Sequence, residues 1–345
     1  MSKAAELAKW GEVSTNGQVS GRRNIVINGG MQVAQRSASV TGIGATSGYY
    51  TIDRYQIIAG ATAGRFTMAQ VADVHDGFAN AMKLTCTTAD ASIAAGEYMG
   101  IQYRIEGQDL QQIKKGTSDA EKVTISFYVK GNASATYMLE VKDSDNTRLN
   151  QNQFAVTTDW TRIEITLNAD TTGAFTDDNG LSLELTFWLH GGSTYTSGTY
   201  TANTWAGQTN ANRLVGISSF FDSTDRTFFL TGVQLEVGSV ATPFEHRSYG
   251  EELALCHRYF WQGAFPADSG YIYSDDKLAA IGYQFSFPTT MRATPTVAII
   301  TAATYTSSAH YGWSVDINGL AELVNPTGSV SFRAINGVNS ADAEL

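Results

Sequence analysis

Apolar side chains recur at every second position through much of the chain. In VTISFYVK, Val123, Ile125, Phe127 and Val129 face one way while Thr124, Ser126 and Tyr128 face the other, the period of two of a half-buried strand. TRIEITLN repeats it through Ile163, Ile165 and Leu167. LSLELTFWLH is the longest instance, with Leu181, Leu183, Leu185, Phe187 and Leu189 on one face and Ser182, Glu184, Thr186, Trp188 and His190 on the other. TGVQLEVG adds Val233, Leu235 and Val237. Between such runs stand Asn-Gly at 28–29, 179–180, 318–319 and 336–337, Asp-Gly at 76–77 and Gly-Asn at 131–132, dipeptides that tolerate the positive φ of tight hairpins. Strands at this density with no helical period between them predict a mainly β fold. An antiparallel β-sandwich fits better than a parallel α/β sheet, and no repeat period points to a solenoid or propeller.

The β-pattern stops within residues 232–260. YGEELALCHRYF places Leu253, Cys256 and Phe260 at i, i+3 and i+7, with Glu251 and Glu252 at its start and His257 and Arg258 toward its end, which predicts a short helix. Alternation then resumes in IGYQFSF (Ile281, Tyr283, Phe285, Phe287), GWSVDI (Trp313, Val315, Ile317) and SVSFRAI. The predicted organisation is an N-terminal segment over 1–22, a sandwich domain over 23–249, and a short helix with a smaller β-domain over 250–345. In the first of these, residues 2–10 read either as one short helix with Leu7 and Trp10 on a shared face, suited to docking on another protein, or as a frayed tail.

Composition agrees with this class: 33 Gly, 16 Tyr, 16 Phe and only 5 Pro in 345 residues suit many short strands joined by turns. The net charge of −10 repels phosphate backbones and anionic membranes, and the densest basic clusters are the pairs Arg22-Arg23 and Lys114-Lys115, so no nucleic-acid partner is expected. Cys86 and Cys256 alone cannot form a disulfide framework and read as buried free thiols. The amino terminus lacks the apolar run of a signal peptide, and the longest clean apolar run elsewhere, Val297 to Ile300, is too short to cross a bilayer, so no membrane insertion is expected. Such a chain is made in a reducing cytosol.

The search for catalytic chemistry is mostly negative. GIGATSG (42–48) is one residue too long for a dinucleotide loop, and there is no Walker loop, nucleophile elbow, H-E-x-x-H or C-x-x-C. The five histidines, 75, 190, 246, 257 and 310, show no metal-ligand spacing, which argues against a structural zinc. DSDN (143–146) and TDDNG (176–180) concentrate oxygens that calcium would accept, although Arg148 stands where a calcium loop would want glycine and both stretches are also strong turns. The better signal is aromatic. Trp188 lies on the polar side of its strand beside Glu184 and His190, and the small-residue stretch 191–208 that follows carries Tyr195, Tyr200 and Trp205. Rings beside hydroxyl and amide donors suit glycan binding, because a ring stacks on the apolar face of a pyranose. The alternative is that Trp188 packs under that same loop or in a subunit contact.

Several ordered motifs carry a resemblance. TGVQLEVGSVATPFEHRSYGEELALCHRYF resembles the segment that closes the carbohydrate-binding-module-like jelly roll in bacteriophage structural proteins described as tail fibre or minor tail proteins. RNIVINGGMQVAQRS with YTIDRYQ resembles the first strands of that domain, and SFYVKGN, WTRIEITL and FWLHGGSTYTSGTY follow in the expected order. The match covers roughly residues 22–260, and the ending FPTTMRATPTV…SADAEL is similar, more weakly, to the small C-terminal β-domain of such proteins. His190 and Tyr55 stand where that family commonly has Trp. The resemblance implies a galactose-binding-like jelly roll, a place on the virion, assembly as a homotrimer, attachment to other virion proteins through the N-terminal segment with Leu7 and Trp10, and host surface glycan as partner. By analogy with carbohydrate-binding modules it also implies a structural calcium, for which Asn28 and Glu236 are the candidates. The expected function is a non-enzymatic tail fibre or tail-associated adhesin. The alternatives are an architectural capsid decoration, head fibre or connector protein, and a polysaccharide-cleaving enzyme with two acids facing one groove.

Overall fold

In a computed structural model the chain divides into two units, Met1–Arg247 with Leu345, and Ser248–Glu344. The residues described are 3, 22–264, 269–270, 284–301, 304–305, 308–326, 332–335 and 338–345. Leu7 and Trp10, and the strand positions Ile281 and Tyr283, lie outside them.

The first unit is a two-sheet antiparallel sandwich of jelly-roll type. One sheet has six strands in the order β1 (Ser39–Ile43), β4 (Arg65–Val71), β5 (Ala81–Thr88), β13 (Thr227–Val237), β7 (Val123–Gly131) and β10 (Thr161–Leu167). The other has seven, in the order β12 (Ala206–Gly207), β9 (Arg148–Val156), β8 (Ala135–Asp143), β11 (Leu181–Gly191), β6 (Tyr98–Glu106), β3 (Tyr55–Gly60) and β2 (Gly48–Tyr49). Alternation sets the register. Strand β10 pairs with β7 so that Ile163 meets Phe127, Ile165 meets Ile125 and Leu167 meets Val123, and β11 sends Leu183, Leu185, Phe187 and Leu189 inward from the other layer. The layers interlock through rings, with Phe127 edge-on to Phe154 and Phe187 at 5.2 and 5.0 Å.

The closing motif of the sandwich is a hydrogen-bonded clasp. The Asn24 amide donates to Val233 O at 3.2 Å, and its oxygen accepts from Val26 N at 3.0 Å and Leu235 N at 3.1 Å. Glu245 Oε2 accepts from Arg23 N and Asn24 N, and Arg247 donates to the carbonyls of Val26 and Asn24. Each polar side chain of this stretch therefore satisfies a backbone group that burial would otherwise leave bare.

In the second unit, helix α2 (Tyr249–His257), numbered after the single turn α1 (Ser193–Thr196), opens with a capping box: Ser248 Oγ accepts from Glu251 N, and the Glu251 carboxylate accepts from Ser248 N at 2.9 Å. The predicted helix ends three residues early, because Phe260–Ala264 pairs with Val338–Asp342 in a three-stranded sheet completed by Thr296–Thr301. Its core includes Trp261, Phe287 and Met291. Cys86 and Cys256 are both buried free thiols. Among the described residues, no helix is long and apolar enough to cross a membrane.

Candidate functional site

The predicted ring platform does not form as a single surface. Alternation places Trp188 off the main core, as expected, but its face of the seven-stranded sheet is covered and Trp188 is 4% exposed. It packs with Met138 and Leu214, and Tyr195 and Tyr200 lean on the same small cluster. The segment that follows β11 is held over this face by Gly192 N to Glu97 O, Leu214 N to Tyr195 O, and Gln153 N to the Tyr200 hydroxyl at 3.0 Å. Arg213 completes the cover, with its guanidinium 5.0 Å above the Trp188 ring and bonded at 2.9 and 2.6 Å to Glu140, a fully buried carboxylate. His190 is buried too, with Nδ1 2.9 Å from Ser219 Oγ and Nε2 3.3 Å from Glu97 Oε2. Burial lowers its pKa against the pull of Glu97. Trp205 stands apart: its indole donates to Asn168 O at 2.8 Å, and its ring lies 5.6 Å from Lys115 Nζ.

That lysine bears on the calcium reading at the first of the two acidic turns, DSDN. The turns do meet, through Asn146 to Ala174 O and Thr176 N to Asp145. The cation beside the first turn, however, is the ammonium of Lys115, whose side chain is 2% exposed. It sits 2.5 Å from Asp143 Oδ2 and 3.1 Å from Asp170 Oδ2, donates to Thr172 O and Gly173 O at 2.7 and 2.8 Å, and is flanked by the Phe175 ring at 5.3 Å. Two carboxylates and two carbonyls are an oxygen set that a hard metal ion would use, and here a covalently attached cation fills it.

Asn28 and Glu236 do not fit a calcium either. The Asn28 amide donates to Val33 O and Asp53 O, and its oxygen accepts from Val33 N at 2.9 Å. Glu236 is fully buried, and its carboxylate accepts from Gln234 Nε2, Thr242 N and Thr242 Oγ1 at 2.9, 2.9 and 2.7 Å. Lone pairs aimed at N–H and O–H donors leave no inward-facing oxygen cage for an ion.

A continuous band of half-buried rings lies on the other sheet. On the outer face of β7 and β13, Tyr128 and Lys130 stand opposite Thr231 and Phe229. Phe229 forms a buried base, with Trp160 edge-on at 5.9 Å and Lys130 Nζ 4.7 Å above the ring. One strand position along, Tyr128 stacks with His75 at 4.4 Å and packs against Phe78 at 5.3 Å. Phe78 continues to Phe244 at 5.0 Å and to His246 at 5.3 Å. A positive φ of 63° at Gly232 makes this possible, since a Cβ there would lie 2.6 Å from Phe78 and 2.8 Å from Tyr128. Trp160, Tyr128, His75, Phe78 and Phe244 are half-buried and His246 is exposed. Charged side chains border the band, with Lys130 paired to Asp73 at 2.6 Å and Arg162 to Glu164 at 2.8 Å. Sequence reading placed Tyr128 on an outward face but did not assemble the band, whose other rings come from turns before β5, before β10 and after β13.

No family model matches the sequence, and no curated protein matches it. Among solved structures, the chain is similar to one described as CBM4, at 11% identity and a TM-score of 0.31, covering 61% of this chain and 97% of that one. It is similar to the CBM22-1 xylan-binding domain of Paenibacillus barcinonensis Xyn10C, at 12% identity and a TM-score of 0.31, covering 64% and 100%. It is also similar to the enzymatically active domain of bacteriophage CBA120 tailspike protein 4, at 13% identity and a TM-score of 0.31, covering 62% of this chain and 21% of that one.

Proposed function

We propose that the protein is a non-enzymatic structural protein of a bacteriophage particle, a tail fibre or tail-associated adhesin that binds host surface glycan. The observation that carries the binding half of this reading is the band of half-buried rings on the six-stranded sheet, running from Trp160 through Tyr128 to His246. Its flat faces suit the C–H surfaces of sugar rings, and Lys130, Asp73, Arg162 and Glu164 suit their hydroxyls. The ordered motifs of residues 22–260 support the virion half. Weak single sites of this kind gain avidity when several copies, as in a homotrimer, face one cell. The N-terminal segment with Leu7 and Trp10 is the piece assigned to attachment on other virion proteins.

The test is binding of the full chain to host cell-wall polysaccharide and to a glycan array. Trp160→Ala and Tyr128→Ala should each abolish a signal that Trp188→Phe leaves intact. Binding that survives both band substitutions would move the site elsewhere. A second reading, an architectural capsid decoration, head fibre or connector protein, is favoured by one observation: Trp188, Tyr195 and Tyr200 are used to close the seven-stranded face rather than to present it. Location of the protein on capsid facets in an intact particle, with no polysaccharide bound, would decide for that reading.

A further inference from the structure

Asp90 follows β5, Glu97 precedes β6 and His190 lies near the end of β11, yet one ligand atom from each comes within 4.8 Å of the others. The three residues are 5%, 4% and 0% exposed. Among the described residues, no Lys or Arg pairs with Asp90 or Glu97, and the imidazole is the one basic group within the cluster. Even a protonated ring would leave one of the two buried negative charges without a counter-charge, a costly arrangement unless a cation or proton is taken up. By contrast, four other buried acids of this unit carry theirs: Glu140 has Arg213, Glu184 has Lys142, and Asp143 and Asp170 share Lys115, while Glu236 is held by three neutral donors.

The groups around the triad hold it in place. Asp90 accepts from Thr62 Oγ1 and Ala63 N at 3.0 Å and from Ser92 N at 3.2 Å, while its own N–H donates to Phe221 O. Ser219 Oγ, itself an acceptor for Phe221 N at 3.1 Å, fixes the His190 ring through Nδ1 and leaves Nε2 directed at Glu97. An imidazole whose far nitrogen is hydrogen-bonded, facing two carboxylates that are oriented in turn, is the arrangement that outer-shell partners give to metal ligands.

We propose that Asp90, Glu97 and His190 form a divalent transition-metal site that takes Zn²⁺. A nitrogen among three donors selects zinc over calcium, which takes oxygen ligands, and three protein ligands leave a fourth tetrahedral position for water. The ion would tie the turn after β5 to the end of β11, at the root of the segment that covers the seven-stranded face. This site is separate from the ring band and does not depend on glycan binding.

The experiment is equilibrium dialysis of the full chain against Zn²⁺ with metal analysis, paired with thermal melts in Zn²⁺, Ca²⁺ and EDTA. One Zn²⁺ per chain is expected, with a melting midpoint raised by Zn²⁺, unmoved by Ca²⁺ and lowered by EDTA. His190→Gln should weaken binding by more than about 100-fold and make the midpoint insensitive to zinc. Glu97→Gln, close in shape, provides the same readouts should the histidine variant fail to fold. A wild-type chain that retains no zinc, or variants that retain a full equivalent, would overturn the assignment.

Discussion

Replacing Lys115 by Met keeps the aliphatic stem between the Phe175 and Trp205 rings and removes only the ammonium. Asp170 would still be held by Arg148, at 2.9 and 3.0 Å, but Asp143, fully buried, would keep only its bonds to Asn146. Two carbonyls, Thr172 O and Gly173 O, would lose their donor as well. Removing one partner of a buried ion pair costs about 3–5 kcal/mol, most of it the penalty for the charge left behind. For a unit of this size that corresponds to a fall in Tm of roughly 10 °C. Differential scanning calorimetry measures it. The same oxygen cage predicts that millimolar Ca²⁺ restores part of the lost Tm in Lys115→Met while leaving the wild type unchanged. A loss below about 1 kcal/mol would refute the reasoning, because it would mean that Asp143 is not a charge in need of this partner.

Three further outcomes follow from the same geometry. Burial alone would raise the Asp170 and Glu184 carboxyls, but bonds from Arg148 and Lys115 to the first, and from Lys142 and Ser144 to the second, outweigh it and hold both below their ordinary values of 3.8 and 4.5. Their stabilisation is therefore present above those values and lost as pH falls through the depressed folded ones, so denaturant midpoints should drop below about pH 4, and drop less in Glu184→Gln. Gly232→Ala forces a Cβ into Phe78 at a φ of 63°; a loss of about 2 kcal/mol in chemical denaturation is expected, with weakened polysaccharide binding as Phe78 is displaced. Arg213→Met leaves Glu140 buried with only Gln151 at 3.4 Å, which should cost about 3–5 kcal/mol and expose the 192–217 segment to limited proteolysis.

Periodicity carried the sandwich: the inward sets of β7, β10, β11 and β13 were all legible, because one buried face imposes a period of two whatever the partner strand. It correctly put Trp188 on the face away from the main core. It could not show that a second layer covers that face, since a buried outer position and an exposed one have the same spacing. The short helix was visible from its acids and apolar triplet, but its end depended on a partner strand at 338–342, about eighty positions away. The Asp90–Glu97–His190 cluster was illegible for a similar reason. Metal spacing within one element leaves a local pattern, whereas Glu97 and His190 are 93 residues apart and meet only because β6 and β11 are neighbours. The DSDN turn was read for its oxygens, and the cation that pairs with its Asp143 came from a Lys-Lys pair noted only as a small basic cluster.

The clasp at the end of the sandwich has a consequence for how the protein is made. It joins Arg23 and Asn24 to Glu245 across separations of 222 and 221 residues, so neither half can form before the other has left the ribosome. At roughly 5–20 residues per second, about 11–44 s of synthesis separate Arg23 from Glu245. For that interval the central strand β13 is missing from the six-stranded sheet for most of the time, and the edges of β5 and β7 that it will join stand open. The nascent chain depends on the last twenty-one residues of its sandwich, 227–247, to complete the six-stranded sheet, whereas every strand of the seven-stranded sheet has been made by residue 207.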